Sequence, residues 1–533
     1  MTNNHGPTKL GTDIKPKDEP MTDPSERKKF WRAIAALCFA MLSQSYFLIG
    51  VFPYAGFFAM KLIPSLSSNT AGSYAGIISS SYMIGRMLTS IAWGKIADTI
   101  GRKPVFYWTY LFSGVFSIWF GTSTNIYSAI FARFMMGFGN GLIVTVKTTV
   151  TELAKNDGTL ETKGMGTVIA MWGWGYITCP VISGFLSDPI KQYPNLIFLE
   201  NYKPFLTKYP FILPNLFSVI LCIVGSFSIY YFVDETLPQQ KRKPISSILY
   251  AARKKNQVSN RNHSQDEEIL PIHDAKSKTQ PNYTTSGEQF GDQDSVGNSN
   301  NIDITSTKSE SDPSTVASIW AQRKTRHHII AHVMLAYSSI IVDEAFPLFC
   351  IATNAGLNLN EAGIGKILSG AGILFIIGHF FLFTPIVDHF GPFSSLKLGC
   401  MFAAPVVILM PISMFLNRGQ SQYDEGITLS ANILLIAVIG CKNVSNNIAT
   451  TSVTVGMSRS VSQNQRATMN GLATLGGSLA KAAGPICAGF LVSFFLGSDL
   501  FSPTWGGFFL FGCISAFGLS VLAYVSIVLK QYY

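Results

Sequence analysis

Apolar runs of about 20 residues recur along this chain, parted by short polar turns, and no other feature limits its fold so strongly. A helix rises about 1.5 Å per residue, so each run can cross a hydrocarbon core of about 30 Å. In lipid the backbone must satisfy its own N–H and C=O groups, which leaves only helices or closed barrels. The runs are continuously apolar and lack the alternation of a barrel strand, so they read as helices. Composition agrees: 48% of the 533 residues are hydrophobic and only 13% are charged, about half the charged share of an average soluble domain.

Twelve runs can be marked. The first six start near Trp31, Gly72, Pro104, Asn125, Lys163 and Tyr209; the second six start near His327, Gly363, Ser395, Ile427, Arg466 and Thr504. The chain then divides into a polar tail (1–30), a six-helix bundle (31–235), a central loop (236–326) and a second six-helix bundle (327–533). The first run is a full span without a small-residue cleavage pattern, so it does not read as a signal peptide. The central loop is rich in Ser, Asn, Gln, Asp and Lys. Such a segment buries too little apolar surface to fold alone. Its two ends, 244–255 and 315–324, have the composition of short basic interfacial helices.

Charge sets the orientation. Lys and Arg gather at Arg27, Lys28, Lys29 and Arg32, at Lys95, Arg102 and Lys103, and through the central loop. The opposite loops hold few: Lys61, Lys191, Lys203, Lys208 and Arg418. By the positive-inside rule both termini and the central loop are cytoplasmic. The net charge of +10 therefore reports topology, not a nucleic-acid partner. The host membrane stays open between plasma and vacuolar-type.

All eight cysteines (Cys38, Cys179, Cys222, Cys350, Cys400, Cys441, Cys487 and Cys513) fall inside the runs, as apolar packing residues rather than a disulfide framework. No Cys-x-x-Cys or His-rich cluster suggests a metal site. No nucleophile–base set, Walker loop or dinucleotide fingerprint suggests an enzyme or a cofactor.

The halves echo each other. Cys179-Pro180-Val181-Ile182-Ser183-Gly184-Phe185 in the fifth run matches Gly484-Pro485-Ile486-Cys487-Ala488-Gly489-Phe490 in the eleventh. Asp98-Thr99-Ile100-Gly101 after the second run matches Asp388-His389-Phe390-Gly391 after the eighth. Matching ordinal positions are what parallel transporter repeats produce. Pro180 and Pro485 each predict a helix kink re-satisfied by neighbouring helices.

Ionisable residues inside spans are costly and mark sites. Asp343 and Glu344 stand midway along the seventh run. Neighbours on a helix point about 100° apart, so one can face a cavity and the other an adjacent helix. Desolvation and mutual repulsion disfavour holding both ionised, which suits a proton carrier. A static salt bridge to a lysine is the plainer reading. Lys147 in the fourth run and Lys442 in the tenth are the candidate counter-charges, or binders of an anionic solute. Arg86 and Lys481 are assigned to packing between halves, and the isolated His379 to packing.

Several motifs carry a resemblance. Gly94-Lys95-Ile96-Ala97-Asp98-Thr99-Ile100-Gly101-Arg102-Lys103-Pro104 resembles the signature of the major facilitator superfamily, between its helices 2 and 3. The resemblance implies a cytoplasmic latch, in which Asp98 pairs with Arg102 or faces a helix N-terminus across the interface. After Gly391 the basic part is lost to Pro392 and Phe393, so a second latch should be weaker. Arg133-Phe134-Met135-Met136-Gly137-Phe138-Gly139-Asn140-Gly141 resembles a pattern of proton-linked facilitators, and Arg133 is a candidate cavity residue unless it snorkels to the membrane edge. The segments around Pro180 and Gly184, and around Gly484, Pro485 and Gly489, resemble the antiporter motif of drug–proton exchangers. Cys179 and Ser183 stand where that motif usually has glycine.

Within the superfamily, Gly85-Arg86-Met87-Leu88-Thr89-Ser90, Asp343-Glu344-Ala345-Phe346-Pro347-Leu348 and Ser478-Leu479-Ala480-Lys481-Ala482-Ala483-Gly484-Pro485 resemble the zinc-induced facilitator-like group. That group is linked to zinc tolerance, potassium–proton exchange and efflux of metal chelators. The tail lacks the group's cysteine pair, and Glu235-Thr236-Leu237 is followed by Pro238 rather than His.

The resemblance implies two bundles around a cavity lined by helices 1, 4, 7 and 10, and a monomer in the bilayer. It also implies proton-coupled antiport of a small solute: a cation, an organic acid or a metal chelate. The alternatives are a drug–proton antiporter, a uniporter, or a receptor built on a transporter fold. Epitopes at either terminus and within 236–326 should be reached by antibody only after the membrane is permeabilised, and Asn262 and Asn282 should stay unglycosylated. Labelling of either terminus on intact membranes would reverse the orientation.

Overall fold

The computed structural model describes residues 21, 23–155, 157–195, 197–242, 316–353, 355–417, 427–461 and 466–532. Most of the tail, most of the central loop with Asn262, Asn282 and the helix expected at 244–255, and Arg418 lie outside the described residues. At the other end of that loop a short helix, Val316–Ala321, does form.

The first helix, α1 (Pro24–Ile49), starts earlier than the apolar run at Trp31. The backbone N–H of Ser25 donates to Asp23 Oδ1 at 2.9 Å, and Pro24 takes the first helical position. A side-chain cap and a preset φ let the helix extend through polar residues that need no lipid. The helix therefore begins within the polar segment 1–30. Next come α2 (Gly72–Ile100), α3 (Arg102–Gly121), the two pieces α4a (Ile126–Phe138) and α4b (Leu142–Leu153), α5 (Gly158–Leu186) and α6 (Ile212–Phe232). The second half holds α7 (Arg323–Ile351), α8 (Glu361–Gly378), α9 (Thr384–Ala403), α10 (Leu429–Arg459), α11 (Arg466–Gly497) and α12 (Pro503–Ile527).

Among the described residues every regular element is helical, and 10 segments are long and apolar enough to cross a membrane. The two left out, α2 and α3, have the length but less apolarity. Arg86, Lys95 and Asp98 lie on α2, and α3 is rich in Tyr and Trp. With these two the count is consistent with twelve. Large apolar side chains such as Phe227, Phe380, Phe381 and Leu429 stand on the exterior, where lipid would cover them.

The echo between halves has a backbone basis. Gly101 (φ 113°) and Gly391 (φ 73°) are the glycines with positive φ among the described residues. Both reverse the chain three residues after an aspartate, a conformation that a side chain would strain. Gly391 breaks α9, so 384–390 prolong α8 and the next span starts at Pro392.

α4 is broken at 139–141, and its neighbours satisfy the freed backbone. Thr89 Oγ1 donates to Phe138 O at 2.8 Å and Trp93 Nε1 to the same oxygen at 2.9 Å, while the N–H of Gly141 donates to Thr109 Oγ1 at 3.1 Å. This is how a non-helical turn survives at membrane depth.

The halves meet along two crossings, α2 against α11 and α5 against α8. Each uses one of the Gly-Pro segments. A Cβ on Gly76 would come within 2.2 Å of Pro485 O, and one on Gly489 within 2.1 Å of Gly72 O. In the other crossing a Cβ on Gly184 would lie 2.7 Å from Glu361 O, and one on Gly365 2.9 Å from Pro180 O. Absent side chains let the backbones touch. Both crossings lie away from the termini. Nearby, Ser68 Oγ and Thr353 Oγ1 are 3.0 Å apart, and the N–H of Ser73 donates to Ser493 Oγ at 3.0 Å. The far side is thus sealed. Toward the termini the helices part, and a Cβ on Gly166 or Gly471 would meet nothing within 4 Å.

Gly76→Val should therefore destabilise the sealed arrangement by about 1–3 kcal/mol through overpacking. The readouts are a lowered melting temperature and faster thiol labelling of Thr353→Cys from the far side. Gly166→Val, at the open end, should change neither.

Candidate functional site

The seventh span supplies the centre of the site. Asp343 and Glu344 are adjacent on α7 and point in different directions, as a 100° step requires. Asp343 Oδ1 accepts from Lys442 Nζ of α10 at 2.5 Å. The same ammonium donates to Ser339 Oγ at 3.1 Å and to Ser339 O at 3.3 Å. Lys442 is 1% exposed, so in this low-dielectric setting its charge is balanced by direct partners. Glu344 is 2% exposed and faces the other half, where Ser79 Oγ of α2 donates to its Oε1 at 2.8 Å. Glu344 Oε2 has no protein hydrogen-bond partner. The pair thus has one acid bonded within its own half and one bonded across the seam.

A cavity of about 340 Å³ lies between the halves, on the terminus side of the seal. Asp343 lines it, together with Arg86, Lys147, His332, Asn446 and Lys481. Lys147, expected to balance the acids, forms no ion pair among the described residues and is exposed on the cavity wall. Arg86 and Lys481, which the sequence suggests for packing between halves, instead line the cavity. Their rotation about α2 and α11 turns them inward, which apolar periodicity does not reveal in helices apolar nearly all round. The wall therefore draws on α2, α5 and α11 as well as α1, α4b, α7 and α10.

Arg133, expected in the cavity, lies elsewhere. Its guanidinium sits over the rings of Tyr82 (5.0 Å) and Phe120 (5.5 Å), with Nη2 donating to Leu48 O at 3.4 Å. The position is interior rather than at a membrane edge, and ring faces stabilise the cation. Tyr82 is fixed in turn, because its hydroxyl accepts from Gln44 Nε2 at 2.8 Å and Asn140 Nδ2 at 3.0 Å. His379 bonds Asn447 (2.9 Å) and stacks on Phe375 and Phe383, as a packing residue does.

The signature turn from Gly94 to Lys103 is wired inside the first half. Arg102 Nη2 donates to Asp98 Oδ1 at 2.9 Å and to Glu152 Oε1 at 2.7 Å, and Arg102 Nε donates to Glu152 Oε2 at 3.0 Å. The backbone N–H groups of Arg102 and Lys103 donate to the two oxygens of Glu235, each at 2.9 Å. A carboxylate from beyond α6 thus caps α3, where helix polarity favours an anion. Thr236 Oγ1 donates to Glu152 as well. Asp98 takes the Arg102 option rather than a helix across the interface. Nothing in the sequence marks Glu152 or Ser79 as part of the site. Glu235-Thr236 was visible as a motif, but its partners lie 132 and 133 residues away. At the Gly391 turn the described residues form no ion pair.

The kink residues Pro180, Gly184, Gly484, Pro485 and Gly489 belong to the inter-half crossings and their surroundings rather than to the cavity wall. Gly484 itself abuts Ile340 of α7, where a Cβ would come within 2.1 Å of Ile340 Cγ2.

Known proteins share this layout. A family model described as Major Facilitator Superfamily matches residues 36–485. Zinc induced facilitator-like 1 of Arabidopsis thaliana is 26% identical over 474 residues, covering 87% of this chain and 84% of that protein. Major facilitator superfamily multidrug transporter mfsB of Aspergillus fumigatus is 25% identical over 491 residues, covering 87% and 78%. Among solved structures, a bacterial homolog of the human lysosomal transporter Spinster, in an inward-facing and occupied conformation, superposes with a TM-score of 0.60 at 11% identity, covering 96% of this chain and 98% of that one. The family match spans both halves and the fold agrees, so this chain belongs to the Major Facilitator Superfamily and is a multi-pass membrane transporter.

Proposed function

We propose that this protein is a proton-coupled antiporter of a small solute, acting as a monomer by alternating access with both termini in the cytoplasm. The observation that carries the reading is the placement of two adjacent acids on either side of a working boundary. Asp343 contacts the cavity and Lys442; Glu344 lies in the sealed seam against Ser79. A proton reaching Asp343 from the open side would weaken its bond to Lys442, since the neutral acid loses the charge-assisted interaction. Rocking of the halves would break the Glu344–Ser79 contact and expose Glu344 to the far side. Proton occupancy and the open side would then be linked, as exchange requires.

The Arg102 cage supports a latch at the terminus-side end of the first half. Asp98 stays largely exposed beside Arg102, free to bond the second half when that end closes.

The test is flux in proteoliposomes loaded with a pH-reporting dye. Asp343→Asn combined with Glu344→Gln should reduce pH-driven flux to that of empty liposomes while solute–solute exchange continues. Retained pH-driven flux in the double variant would refute proton coupling through these acids. Arg102→Ala should slow exchange and lower stability by about 1–3 kcal/mol, because Glu152 and Asp98 lose their charge-assisted hydrogen bonds. Full stability in that variant would remove the cage from the account.

A further inference from the structure

The cavity wall is unbalanced in charge, and the imbalance is divided between the halves. Arg86 and Lys147 project from the first half, and Lys481 from the second. A fourth cation, Lys442, stands behind Asp343 in the second half. Among the described lining residues Asp343 is the only carboxylate, and Lys442 already contacts it at 2.5 Å. The neighbouring acid, Glu344, faces the seam and accepts from Ser79. Several cations converging on a cavity with low-dielectric walls focus a positive field on whatever enters it.

The remaining lining groups suit an oxygen-rich solute. Ser90, Asn140, Asn446, Thr450 and Ser478 supply neutral hydroxyl and amide groups. The volume of about 340 Å³ is at the small end of the range of about 300–1,000 Å³ usual for small-molecule pockets. Met41, Ile143, Val144, Ile169 and Ile340 make the rest of the wall apolar, and the small volume disfavours a bulky solute.

We propose that the transported solute is a small organic anion with two or more carboxylates, bound with one end on Arg86 and Lys147 and the other on Lys481. The proposal rests on the reading of this cavity as the solute site of a carrier. Two charged ends matter because the cations belong to different halves of the chain. A dianion contacts cations of both halves and draws the open end closed, whereas a monoanion contacts those of one half. A metal or potassium ion is repelled by the same wall. Arg86 offers a planar fork suited to a carboxylate, and the two lysines add point charges.

Calorimetry on the full-length protein in nanodiscs tests this with succinate, citrate, butyrate and tetraethylammonium as probes. Counterflow of radiolabelled succinate is measured in parallel. Succinate and citrate should bind at least about tenfold tighter than butyrate, in line with loss of one charge-assisted contact. Added salt should weaken that binding. Lys147→Gln and Lys481→Gln should each weaken succinate about tenfold, with butyrate little changed, and Lys147→Arg should retain it. Equal binding of butyrate or tetraethylammonium would overturn the proposal. So would unchanged succinate binding in both Lys→Gln variants, or no binding of either polycarboxylate to protein with an intact thermal transition. Dianion binding without counterflow would uphold the anion site and refute the carrier reading. Counterflow of tetraethylammonium without dianion binding would do the reverse.

Discussion

A polar group placed in hydrocarbon must find its partner within the protein, and the architecture follows from meeting that demand at every break and charge. The interruption of α4 survives because Thr89 and Trp93 of α2 reach the carbonyl that the break releases. Lys442 is tolerated at 1% exposure because Asp343 and Ser339 surround its ammonium. Arg133 is tolerated because two aromatic faces and a backbone carbonyl do the same with weaker contacts. The demand is left incomplete at several buried atoms, some of them at the site. Arg86 Nη1, His332 Nδ1 and Glu344 Oε2 are buried without a protein partner, and all three belong to the cavity or the seam beside it.

The seam links the site to the movement a transporter makes. At both crossings the helices approach with backbone against small residue, a contact good at one separation and poor at others. Such interfaces favour discrete arrangements over gradual ones. Glu344 is built into this seam through Ser79, so a change in its protonation is felt where the halves touch. Asp343, one residue earlier, reports instead to the cavity. One turn of α7 thereby faces both the cavity and the seal.

Similarity to zinc induced facilitator-like 1 and to a fungal multidrug transporter extends over most of the chain, at 26% and 25% identity. Likeness at that level does not fix the solute of this chain. The choice falls to the wall of the cavity, where cations outnumber carboxylates and the volume is small.

The sequence by itself determined the spans, their division into halves, the repeat at Asp98–Gly101 and Asp388–Gly391, and the two acids of the seventh helix. Each of these is local: a run's length, a turn's glycine or a charge among apolar neighbours is legible without knowing what lies across from it. The positive φ of Gly101 and Gly391 shows that the repeat is a shared turn rather than a coincidence of letters. Only the tertiary structure decided which way each charge faces. Arg133 and Arg86 are both arginines inside spans, yet one is held against Tyr82 and Phe120 and the other lines the cavity. Glu152 and Glu235 act at Arg102 from 50 and 133 residues away. In helices apolar on nearly every side, hydrophobic periodicity carries little information about rotation, and partners brought together by packing leave no trace in spacing along the chain.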